Sequence, residues 1–163
     1  MPEAISNTSP LLYLYRIGAI ELLPALFNEV WSPEAVRDEL NVGFSRGYDV
    51  PDLHVYPWIT IVNPSAMPSE WLALDLGPGE IAAMALALEY RERVILLDDR
   101  LARCIAQAAG LQVWGTLKVL IEAKRIGLID RIAPFVNRLS DQGMWISVTM
   151  RRRILSLARE DEP

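Results

Sequence analysis

Histidine and cysteine are almost missing from this chain: His54 and Cys104 each stand alone among 163 residues. A single cysteine forms no disulfide within the chain, and no Cys/His cluster with zinc spacing exists. One histidine also gives little support to a Ser-His-Asp triad. No stretch approaches the ~20 apolar residues that a membrane-spanning helix requires. The opening MPEAISNTS has neither the basic segment nor the apolar run of a secretory leader. The expectation is a cytoplasmic protein with no membrane partner. Glycine-rich phosphate loops of the GxGxxG or GxxxxGK kind are absent as well, which argues against a doubly wound phosphatase or nucleotide-binding domain. So are low-complexity linkers and repeats at solenoid periods. Positive charge is scarce: sixteen basic against twenty-one acidic residues leave a net charge of −5. Long-range attraction therefore does not favour a phosphate backbone, and any nucleic-acid contact must be local. The run Arg151-Arg152-Arg153 reads first as a solvated helix face and second as such a patch.

Apolar residues are what the chain has in plenty. They make up 52% of it, with five tryptophans, more than one interior needs, so a homodimer interface is expected beside the core. The length suits one domain burying roughly 70% of the unfolded surface.

Strands and helices alternate along the chain. Residues 3–6 read as a short strand that stops at Asn7-Thr8-Ser9-Pro10, where a side-chain cap and a first-turn proline start a helix that ends near Gly18. A short helix from Ile20 to about Phe27 precedes the strand Glu29-Val30-Trp31. Ser32-Pro33 then opens a helix running to about Leu40. Residues 41–57 read as loop and Trp58–Val62 as the next strand. Gly77-Pro78-Gly79 introduces a helix whose Ile81, Met84, Ala85 and Leu88 recur at the spacing of one buried face. Val94–Leu97 is a continuous apolar run, as in a strand covered on both faces. It ends at Asp98-Asp99, before a helix to Ala109. Leu111–Trp114 forms the last strand, and Gly115-Thr116 caps a helix ending at Gly127. Residues from Asp130 onward read as helical additions. This alternation predicts an α/β protein with a parallel sheet and helices on both faces.

In such a sheet the ligand site lies beyond the carboxyl ends of the strands. Asn7, Ser9, Asp98, Asp99 and Thr116 meet that description. Glu80, in the first turn of its helix, and Glu39, late in the helix that began at Ser32, can face the same mouth. Three or four carboxylates without histidine or thiolate are what Mg²⁺ or Mn²⁺ selects. Taken singly, each residue has a plainer role. Asp98, Asp99 and Thr116 read as helix caps, Glu80 as a first-turn acid, Glu39 as a surface residue, Asn7 and Ser9 as capping and turn residues. Their joint placement is what favours a site.

The segments ISNTSPLLYL, VWSPEAVRDEL, LGPGEIAAMALALE, VILLDDRLAR and VWGTLKVL, in this order and spacing, resemble the PIN-domain superfamily, particularly a prokaryotic branch related to VapC-type toxins. The likeness covers residues 3 to about 128, so a PIN-like domain over 1–128 carries a helical extension of the same domain over 129–163. It implies a Rossmann-like three-layer α/β/α sandwich, an Mg²⁺ or Mn²⁺ site, hydrolysis of single-stranded RNA, a homodimer and a cognate antitoxin. Carried over residue by residue, the family's acids fall on Asn7, Glu39, Glu80, and Asp98 or Asp99. Ser9 matches a small hydroxyl residue two positions after the first acid. Asn7 departs from the usual aspartate: its carbonyl can ligate a cation but brings no charge. The same departure motivates an alternative, a PIN scaffold that binds or regulates without catalysis.

Overall fold

The structure is a computed structural model that describes residues 1–160. Among these residues, five short strands, β1 (Ala4–Ser6), β2 (Val30–Ser32), β3 (Ile59–Ile61), β4 (Val94–Leu96) and β5 (Val113–Trp114), form one sheet. Its order is β3-β2-β1-β4-β5, and every pairing is parallel. The crossovers carry α1 (Thr8–Arg16), α2 (Leu22–Leu26), α3 (Glu34–Ser45), α4 (Pro78–Glu89) and α5 (Arg100–Ala108). After β5 come α6 (Thr116–Arg125), α7 (Ala133–Asp141) and α8 (Val148–Leu157). This is the expected α/β/α sandwich.

Strand side chains alternate between faces, and the two halves of the core follow that period of two. Ala4, Val30, Val94 and Leu96 face the layer of Leu11, Leu14, Leu23, Val36, Val119 and Leu120. Ile5, Ile95 and Leu97 face Met84, Leu86, Ala102 and Ala106 of α4 and α5. Ile132, Val136 and Leu139 of the α7 region, with Ile154 and Leu155 of α8, complete the first layer. No helix among the described residues is long and apolar enough to cross a membrane. The last three residues of the extension expected over 129–163 lie outside the described ones.

Two expectations need correction. Helix α3 does not stop at Leu40 but runs on to Ser45, and a 3-10 turn (Leu53–Val55) interrupts the segment read as loop. Gly43 sits inside the helix rather than ending it, and the chain turns instead at Gly47, with φ +83°. Helix α4 buries far more than one face, since Ala82, Ala83, Leu86 and Ala87 are buried as fully as Ile81, Met84 and Ala85, while Leu88 is half-exposed. The cause is position: α4 lies on β1 and β4 with α3 and α5 against its flanks. Its alanines permit that close approach.

From β1 the chain moves outward through β2 to β3, then returns past β1 to β4 and β5. The reversal separates the loops that leave β1 and β4, and such a switch point opens a crevice at the carboxyl end of the sheet.

Candidate functional site

Strands β1 and β4 run side by side, Ile5 opposite Ile95 and Ser6 opposite Leu96. Asn7 and Leu97-Asp98-Asp99 therefore emerge together at the crevice. The Asn7 N–H donates to the Leu96 carbonyl at 3.1 Å, extending the pairing one residue beyond the strand. Asn7 occupies the cap position of α1, yet its side chain makes no capping bond, contrary to the sequence reading. Only 3% exposed, it keeps Oδ1 buried without a hydrogen-bond partner. An orphaned buried carbonyl costs about 1–3 kcal/mol.

Glu80 presents a second such oxygen. Its Oε1 accepts from the Gly77 N–H at 3.3 Å, the one half of a capping box that a glycine cap allows, while Oε2 is buried and unpartnered. Burial pushes the carboxyl above the ordinary carboxylate range. The Gly77 bond opposes this, and the negative charges of Asp99 and Glu39 add to the rise.

Asp98 is bonded at both oxygens. Oδ1 accepts from the Thr116 N–H at 2.8 Å and Oδ2 from the Thr116 hydroxyl at 2.7 Å. Thr116 is thus no cap of its own helix: Gly115 holds that position, and the acid following β4 satisfies the start of α6 from outside. Burial raises the Asp98 pKa despite the Thr116 bonds and the nearby Arg103 charge. Gly115 leaves little room: a Cβ there would lie 3.2 Å from Asp98 Oδ1 and would push the Arg103 guanidinium aside. Asp99, exposed, caps α5 by accepting from the Ala102 N–H at 2.9 Å.

Glu39 ties three helices together. Its Oε2 accepts from the Thr8 hydroxyl at 2.5 Å and its Oε1 from the Gly79 N–H at 2.8 Å. It stands behind Glu80, near enough for their charges to interact. Glu80, Asp98, Asp99 and Ser9 line one cleft of about 410 Å³ with Tyr13, Arg103, Leu117, Met144, Trp145 and Met150; Glu39 and Asn7 are not part of that lining.

Sequence reasoning missed Tyr13, Arg103 and the three residues from the C-terminal region. Tyr13 lies four residues after Ser9, and Arg103 four after Asp99, so helical periodicity placed each pair on one face. Met144, Trp145 and Met150 carried no comparable signal, since tertiary packing alone brings the α7–α8 connection over the cleft. Among the described residues, no three His, Cys, Asp or Glu side chains already converge as a metal site. The chemistry of the donors nonetheless suits a hard cation, which would satisfy orphaned oxygens and relieve like charges.

A family model described as a PIN domain matches residues 3–160. No curated protein and no solved structure matches the chain.

Proposed function

The chain belongs to the PIN-domain family, whose fold is of the nuclease type, and from that premise we propose that it is an Mg²⁺- or Mn²⁺-dependent endoribonuclease acting on single-stranded RNA. One observation carries the reading: Glu80, Asp98 and Asp99 share a cleft at the topological switch point, and Glu80 Oε2 and Asn7 Oδ1 stay buried without partners. Glu80, Asp98 and Asp99 would hold the cation, with the neutral Asn7 oxygen in support. When bound, the cation supplies the positive charge that offsets the phosphodiester and acidifies water at the site.

The remaining work falls to the protein's own groups. Asp98, fixed by two bonds from Thr116, has lone pairs left to face the cleft without moving. The Ser9 hydroxyl and the Arg103 guanidinium donate hydrogen bonds to non-bridging phosphate oxygens. The Tyr13 pKa is raised by burial and by the Asp98 charge, so its hydroxyl stays protonated as a further donor. Glu39 is a positioning residue that holds the starts of α1 and α4, and through α4 the carboxylate of Glu80. In the hydrolysis a water oxygen gives up a proton and forms the new bond to phosphorus, the bond to the leaving ribose oxygen breaks, and that oxygen takes up a proton, so no net proton is gained or lost.

Purified protein with Mn²⁺ should cleave single-stranded RNA, and Glu80→Gln should lower the rate at least ~100-fold with an unchanged circular dichroism spectrum. Absence of Mn²⁺-dependent cleavage would sink the reading. Glu80→Gln is a cleaner probe than Asp98→Ala, which also removes the bonds that start α6.

A second reading, a PIN scaffold without catalysis, is favoured by Asn7, whose neutral side chain, only 3% exposed, brings no negative charge to the end of β1. Cleavage appearing only in Asn7→Asp would support it. A toxin held by an antitoxin, and a homodimer, are further parts of the proposal. Their support is the likeness noted above and the exposed Val42, Phe44 and Tyr48 around the end of α3, apolar surface of the kind partners cover.

A further inference from the structure

Trp145 is 81% exposed, whereas Trp31, Trp58, Trp71 and Trp114 are buried or half-buried. It nevertheless lies on the wall of the acidic cleft. Its presentation is built. Helix α7 ends before Gly143, whose φ of +95° turns the chain, and the Met144 N–H bonds back to the Leu139 carbonyl at 3.0 Å. Ser147 then caps α8 by accepting from the Met150 N–H at 3.0 Å. Between these fixed points Met144 and Ile146 pack inward against the core, so the residue between them faces out. An indole held open to water at the rim of a reaction cleft is a platform awaiting a flat, apolar partner.

The net charge of −5 and the carboxylates on the cleft wall oppose a phosphate backbone, so affinity for single-stranded nucleic acid cannot come from long-range attraction. Stacking of bases on aromatic rings is independent of charge and tolerates any base. We propose that Trp145 is the base-stacking platform of this cleft, gripping an unpaired nucleobase of single-stranded RNA beside the phosphodiester presented to Glu80, Asp98 and Asp99. This rests on the nuclease reading for its substrate. Met150, also on the wall, widens the apolar surface, while Arg103 sits by Asp98 to receive the adjoining phosphate. Trp145 thereby acts as a specificity-determining residue for unpaired strands, because a base inside a duplex offers no free face.

The test uses the full chain in two assays. In EDTA, binding of a fluorescein-labelled oligouridylate is followed by anisotropy, with acrylamide quenching of the exposed tryptophan as an independent readout. In Mn²⁺, cleavage of the same RNA gives kcat and KM. Trp145→Ala should weaken binding and raise KM roughly 5- to 100-fold with kcat little changed, Trp145→Phe should recover most of the loss, and Trp145→Leu should not. An oligonucleotide with one abasic position beside the cleaved bond should lose affinity for the wild type but not further for Trp145→Ala. Equal abasic penalties in both proteins, or a KM indifferent to Trp145→Ala, would overturn the inference even if cleavage is robust. That outcome would leave Trp145 to a protein partner. Trp145-dependent binding without Mn²⁺-dependent cleavage would uphold the platform and sink the nuclease reading. No RNA binding in either assay would sink both.

Discussion

Burial, helped by the charges of Asp99 and Glu39, holds the Glu80 carboxyl above its ordinary value of 4.5. A group whose folded pKa is raised stabilises the fold below its unfolded value, and that contribution is lost as pH rises through the folded one. The cation-free protein should therefore lose stability as pH climbs above 4.5 through the raised Glu80 value. Glu80→Gln should melt higher than the wild type in EDTA at neutral pH and show a flatter pH dependence. With Mn²⁺ the order reverses, because saturating cation adds about 2.7 kcal/mol at 100 times Kd, a shift of a few degrees that Glu80→Gln should lack. Melting curves with EDTA and with Mn²⁺ check both halves; a wild type indifferent to Mn²⁺ counts against the cation. Asn7→Asp makes the converse case. A carboxylate at a position only 3% exposed should cost roughly 3 kcal/mol without cation, yet raise Mn²⁺ affinity about tenfold or more by calorimetry. Ser9, Asp98 and Asp99 were legible as cleft residues because they follow strand ends, and Glu80 because it sits in the first turn of a helix that opens beside the same mouth. Which of their oxygens are spent was not legible. Glu39 meets Gly79 across 40 positions of sequence, and no local pattern announces that bond.

At the scale of elements, the start of α4 is where sequence and structure part most. A helix of Ile, Met, Leu and Ala with few polar residues has no polar stripe to mark its wet side, so its pattern leaves open how many faces are covered. Only the sheet below and α3 beside it decide that. Gly79 records the closeness, since a Cβ there would lie 2.8 Å from both carboxylate oxygens of Glu39. Two effects compete in Gly79→Ala. Alanine's helix preference stabilises by at most ~1 kcal/mol, while displacing Glu39 from the Gly79 N–H and the Thr8 hydroxyl costs about 1–3 kcal/mol. Net destabilisation is expected in urea denaturation. The Glu39→Ala background should remove most of the penalty, so the double variant will be clearly less destabilised than the sum of the singles. Additive losses would mean that the two sites do not share this contact.

Across the whole molecule, the same carboxylate chemistry appears with opposite sign at the far end of the chain. Glu160 follows α8, and its Oε2 accepts from the Ile132 N–H at 2.8 Å and Lys124 Nζ at 2.9 Å, while Oε1 accepts from the Ala133 N–H at 3.2 Å. Burial alone would raise its pKa, but the bonds from Ile132, Lys124 and Ala133 outweigh burial and hold it below 4.5. A lowered folded pKa gives stability that is present above the unfolded value and lost as pH falls through the folded one. In the cation-free protein Glu80 and Glu160 thus act on opposite sides of 4.5, the first losing its contribution as pH rises and the second as pH falls. Glu160→Gln should cost about 2–4 kcal/mol at neutral pH, since Lys124 and two backbone N–H groups lose a charged acceptor whose side chain is 8% exposed. The gap from the wild type should narrow as pH drops below 4.5. Because Ile132, Leu139, Ile154 and Leu155 share one core with Leu11, Leu14, Val119 and Leu120, the variant should unfold in a single transition. An early separate transition would instead make α7 and α8 a detachable cover. Loosening this corner should also disturb the cleft, because Met144 and Trp145 reach it from the α7–α8 connection and Met150 from the first turn of α8. Glu160→Gln is therefore expected to raise KM for RNA while leaving the Mn²⁺-induced rise in melting temperature intact, which separates the wall that holds substrate from the carboxylates that hold the cation.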